Sequence, residues 1–203
     1  MRLEHNLTPV SLPLGRRWRA AWWWLGVWLW LLSAVGPGAG AASGGMVSHE
    51  YPLKAIFMLN FARFTAWPTK ALADPKAPFV IGVLGDDPFD GILEDAVHEE
   101  NWNGHPISVQ RYARLEDIRT CHVLFISESE TWHVPKILAA LKTKAILTVT
   151  DIDGGEAGGV IVQFVTDNNK IRFKINVDSL REANLTMSSK LLRLAEIVPA
   201  QNK

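Results

Sequence analysis

Residues 78–90 read Pro-Phe-Val-Ile-Gly-Val-Leu-Gly-Asp-Asp-Pro-Phe-Asp. Within them Phe79–Leu84 has no polar side chain, and it is bounded by Pro78 on one side and Gly85-Asp86-Asp87 on the other. A strand covered on both faces has this composition, because neither side of it meets water. Gly85 allows a sharp turn. Asp87 stands where a helix N-cap accepts backbone N–H bonds, and Pro88 suits the first helical position, where no N–H is needed. The stretch therefore predicts a central strand feeding a helix over Pro88–Glu100. His122–Ser127 and Ala145–Thr150 repeat the short apolar run and predict two more buried strands.

Working outward, Ile107–Arg111 alternates apolar and polar residues and predicts an edge strand. A helix over Thr131–Leu141, capped by Thr131, separates the second and third buried strands. After the glycine-rich segment Asp151–Gly159, Val160–Thr166 and Lys170–Asn176 predict a hairpin, with Arg172, Lys174 and Asn176 on a wet face. Ser179-x-x-Glu182 reads as a capping box, and Ser188–Val198 as a closing helix. Upstream, Ser48–Trp67 predicts a helix ended by Pro68 and apolar nearly all round, which a buried helix must be. The alternation of strands and helices predicts an α/β fold: one three-layer domain with helices on both faces. Its sheet is mostly parallel and flavodoxin-like, of order 2-1-3-4-5-6, extended by a C-terminal antiparallel hairpin. Ligands of such sheets bind beyond the C-terminal strand ends.

The start of the chain differs from the rest. Arg16, Arg17 and Arg19 precede the apolar run Ala20–Val35, and small residues with an Ala39–Ala41 motif follow. This is the pattern of a secretory signal peptide, and the run is shorter than the ~20 residues of a spanning helix. The sequence thus predicts a signal peptide over residues 1–41 and a flexible mature start over 42–50. The domain follows over 51–198, then a tail at 199–203, in a protein exported to the periplasm. The whole chain is formally neutral, with 21 basic and 21 acidic side chains; residues 42–203 keep 17 and 20. Nucleic acid, which rewards basic patches, is a poor partner for such a chain. The single cysteine, Cys121, excludes an internal disulfide.

Chemistry-bearing patterns are sparse. The rim beyond the three buried strands carries Asp86, Asp87, Glu128, Asp151 and Asp153, a set that suits a hard cation, although capping and turn roles account for each. A phosphoacceptor domain needs an aspartate where this chain has Ser127. Ser127 is not in a Gly-x-Ser-x-Gly elbow, the histidines lack paired metal spacing, and Gly82-Val-Leu-Gly85 is no dinucleotide fingerprint. The expectation is a non-enzymatic binding or regulatory module without metal or cofactor.

Four stretches together resemble the YfiR family of periplasmic proteins. They are Lys54–Phe57 with Asn60–Pro68 (NFARFTAWP), Gly82–Phe89 (GVLGDDPF), Cys121–Ser127 (CHVLFIS), and Ile171–Asn176 (IRFKIN) running on to Ser188–Ala195 (SSKLLRLA). Gly158–Ile161 fits as well, so the likeness covers nearly all of Tyr51–Val198. The resemblance implies a periplasmic repressor of a membrane-bound diguanylate cyclase, dimeric and itself checked by an outer-membrane lipoprotein. It implies no catalytic residues. The family's disulfides cannot be carried over to a chain with Cys121 alone. The expected partner is the periplasmic domain of an inner-membrane diguanylate cyclase or sensor kinase; the alternative role is a small-ligand-binding accessory protein of a receptor or transport system. The surfaces expected to meet a partner, or a second copy in a homodimer, are Met58, Leu59 and Arg63 on the first helix and Asp86, Asp87 and Phe89 on the rim.

Overall fold

The computed structural model describes residues 47–156, 158–168 and 170–198. The expected signal peptide, residues 42–46 of the expected mature start, and the tail at 199–203 lie outside the described residues. In chain order the elements are α1 (Val47–Phe64), β1 (Thr65–Ala66), β2 (Phe79–Leu84), α2 (Ile92–Val97), β3 (Asn101–Trp102), β4 (His105–Tyr112), β5 (Val123–Ile126) and α3 (Val134–Leu141). Then come β6 (Leu147–Thr150), β7 (Val162–Asp167), β8 (Lys170–Asn176), α4 (Val177–Glu182), β9 (Thr186–Met187), α5 (Ser189–Leu192) and β10 (Glu196–Val198).

All six residues of β2 are buried, as its apolar run requires. It pairs in parallel with β4 on one side (Phe79↔Ile107) and β5 on the other (Ile81↔Val123). β6 and β7 continue the parallel arrangement, and β8 returns antiparallel with Phe164 opposite Phe173. The sheet order is β10-β8-β7-β6-β5-β2-β4-β3. Without its two short outer strands this is the expected 2-1-3-4-5-6 order. Alternate strand residues feed two cores. Val83, Phe125 and Val149 pack with Met58, Phe61 and Ala62 of α1 and Leu93 of α2. Leu84, Leu124 and Ile126 pack with Val134, Ile137 and Leu141 of α3. The protein is mixed α/β with a mostly parallel central sheet between helical layers.

Several local expectations are corrected. The helix after β2 starts at Ile92, behind Gly91, not at Pro88. Phe89 is fully buried, edge-on to both Tyr51 and Phe125, so the intervening loop must dip into the core before a helix can begin. Asp87 makes a turn instead of a cap, its Oδ1 accepting the Phe89 N–H at 2.9 Å. α1 stops at Phe64, because Thr65–Ala66 is taken into a two-residue antiparallel pairing with Thr186–Met187. The helix expected from Thr131 begins as a 3-10 segment over Glu128–His133, and Thr131 Oγ1 donates back to the Glu128 carbonyl. The cap of α4 is Asn176, whose Oδ1 accepts the N–H groups of Asp178 and Ser179; the capping box does not form. Asn176 is therefore buried and not on a wet face. The closing helix shrinks to α5, and Glu196–Val198 instead adds a parallel strand beside β8. β4, expected at the edge, has the short β3 outside it.

Candidate functional site

β2 connects to β4 on one side, and the chain then crosses back to β5 on the other. The C-terminal ends of β2, β5 and β6 border the crevice this reversal leaves. It holds about 360 Å³ and is lined by residues that include Tyr51, Asp86, Asp87, Ser127, Glu128 and Asp151. Gly85 leaves β2 at φ +89°, and a Cβ there would come within 2.3 Å of Ser129 Oγ, so only glycine lets the two walls meet. Ser129 Oγ accepts the Asp86 N–H at 2.9 Å. Of the carboxylates expected on the rim, Asp153 is not part of the lining.

Beneath this crevice lies an arrangement that the sequence reading missed. Lys54 of α1 is 3 % exposed, and its ammonium contacts Asp151 Oδ2 at 2.6 Å and Glu50 Oε1 at 2.7 Å. The Tyr51 hydroxyl donates to the same Asp151 oxygen at 3.2 Å, and Lys54 Nζ stands 4.5 Å from the Tyr51 ring centre. Burial alone would raise the Glu50 carboxyl. The Lys54 hydrogen bond and charge, with the Thr166 hydroxyl, outweigh it and hold Glu50 below its ordinary value. Tyr51 is pushed well above the usual phenol range, first by burial and then by the Asp151 charge. A buried charge persists only when paired, and here the pairing fastens α1 to the end of β6. The one available signal was a lysine set between the apolar residues Pro52–Leu53 and Ala55–Leu59, with Glu50 one turn before it.

Asp87 is spent on Arg111, whose Nε donates to Oδ2 at 2.7 Å while its other nitrogens bind Glu94. Asp86 and Glu128 carry no ion pair among the described residues. No three His, Cys, Asp or Glu side chains there gather closely enough to hold a metal ion.

The helix residues expected to face a partner divide. Arg63 is exposed and pairs with Glu100. Met58 and Leu59 are buried in the chain's own core, and so is Phe89, so none of the three offers a contact surface. The outward apolar stripe is instead Leu53, Ile56 and Phe64, 42 %, 52 % and 41 % exposed. Spacings of three and eleven residues place these side chains on one face, with Asn60 between them.

Among the described residues no helix is long and apolar enough to cross a membrane. A family model described as YfiR/HmsC-like matches residues 51–196. No curated protein matches the chain.

Proposed function

The chain belongs to the YfiR/HmsC-like family, and from that premise we propose that it is a non-enzymatic periplasmic regulator that represses an inner-membrane diguanylate cyclase or related sensor kinase through the enzyme's periplasmic domain. The observation that carries this reading is the stripe of Leu53, Ile56 and Phe64, an apolar helix face that is half-exposed among the described residues. Three large apolar side chains on one face of a rigid helix have the character of a helix-packing contact. Repression is a population shift. The regulator binds the inactive form of the enzyme more tightly than the active one, and its withdrawal, for instance by an outer-membrane lipoprotein, releases the signal.

Deleting the gene should raise cellular cyclic-di-GMP. Ile56→Asp, at an exposed position, should reproduce the deletion while the circular dichroism spectrum and melting temperature stay as in the parent. Unchanged cyclic-di-GMP after deletion, together with no signalling protein recovered from membranes by pull-down, would end the repressor reading. A small-ligand accessory role, for which the strand-end crevice speaks, would then replace it.

A further inference from the structure

The opposite end of the sheet has a different character. Two adjoining clefts open beside the N-terminal ends of β2, β4, β5 and β6, sharing Pro68 and Lys70 in their walls. The larger holds about 660 Å³ and is bordered by Trp67, Trp102 and His105. The smaller holds about 380 Å³ and is bordered by Lys70, Arg119 and Lys144. No carboxylate lines either cleft, and none of those three basic side chains has an ion pair among the described residues.

The aromatic wall is held rigidly. Trp67 and Trp102 meet edge to face, with ring centres 5.6 Å apart. Trp102 stacks on Phe79, and the other face of that stack is completed by His122 against Phe79 at 4.7 Å. Both indole N–H groups are already used: Trp67 donates to the Ala145 carbonyl and Trp102 to the Ala62 carbonyl. What the indoles can still offer is ring surface, and what the neighbouring cleft offers is positive charge. Ring surface takes flat rings, and lysine and arginine without partners take anions.

We propose that these two clefts form one site for a small organic anion carrying a flat ring, with the ring against Trp67 and Trp102 and the anionic group between Lys70, Arg119 and Lys144. The site is separate from the strand-end crevice, whose carboxylates repel such a ligand, and it does not depend on the repressor reading.

The test compares three probes by titration calorimetry on the full chain. 2-Naphthoate has ring and charge, 2-naphthamide has the ring alone, and acetate has the charge alone. Naphthoate should bind measurably more tightly than either of the others. Lys70→Ala with Arg119→Ala, both at exposed positions, should weaken naphthoate by about tenfold or more through loss of charge-assisted contacts. The same change should leave the amide and the melting temperature unaltered. Glu128→Gln in the distant crevice should change nothing. The proposal is overturned if naphthoate binds no better than the amide, if the double variant binds it as the parent does, or if no probe binds at millimolar concentration.

Discussion

At His122 the imidazole lies buried, with Nδ1 accepting the Val80 N–H at 2.9 Å and Nε2 facing the Ala71 carbonyl at 3.2 Å. A carbonyl only accepts, so the ring proton is on Nε2 and the neutral form suits both neighbours. Burial first, and nearby His105 with it, lowers the His122 pKa below its ordinary 6.5. The sign follows. Above the unfolded value of about 6.5 neither state is protonated and the full contribution to stability is present. As pH falls below that value the unfolded chain takes up the proton first, and stability declines until the folded pKa is reached. Urea melts between about pH 7 and pH 5.5 should show this loss, and His122→Asn, which keeps an acceptor for Val80, should flatten it. An identical slope in the variant would assign the loss to other groups. Cys121 is next in sequence, and burial pushes its thiol up to about 12. That makes it a poor nucleophile at neutral pH.

The first helix is the element that links the core to the rim. Its apolar residues cover so much of the circumference that their period cannot say which face points outward. Packing decides it: Phe57 and Phe61 meet Phe164 of β7 and Phe173 of β8, and this turns Met58 and Ala62 inward and Ile56 outward. Met58→Ala should therefore cost about 2–5 kcal/mol through lost burial and a cavity. Ile56→Ala, at a half-exposed position, should stay within about 0.5 kcal/mol. Denaturant midpoints of the two variants check the orientation, and equal losses would reverse it. The same pair separates folding from function, since only the Ile56 position should affect partner contact.

At the scale of the whole domain, the two ends of the sheet differ in charge. Carboxylates gather beyond the C-terminal strand ends, while Lys70, Arg119 and Lys144 stand at the other. The rigidity of both ends depends on the central strands between them. Phe125 on β5 is fully buried and edge-on to Phe89 at 4.9 Å, so it supports the sheet and the rim loop together. Phe125→Ala should cost about 3–5 kcal/mol. It should also loosen residues 86–91, which hydrogen exchange would report as faster opening of that loop than of β4. Protection unchanged in the loop would mean that Phe89 is held by Tyr51 alone.

Sequence by itself determined the strands that matter most. A run such as Phe79–Leu84 has no polar face to present, so burial on both sides is forced wherever it lies; short connections and handedness narrow the strand order without fixing it. It also placed Asp86, Asp87, Glu128 and Asp151 on one rim, because each follows a buried strand. Only the tertiary structure decided what each residue on that rim does. Asp151 is neutralised by a lysine 97 positions earlier, and Asp87 by an arginine 24 positions later. Phe89, which reads as an exposed rim residue at a helix start, is a core residue because Tyr51 and Phe125 close around it. Glu196–Val198 is a strand although its spacing suits a helix, because β8 presents a free edge beside it. Local pattern records how much of a side chain must leave water. Which neighbour removes it is set by contacts between residues far apart in the chain, and no window of sequence contains them.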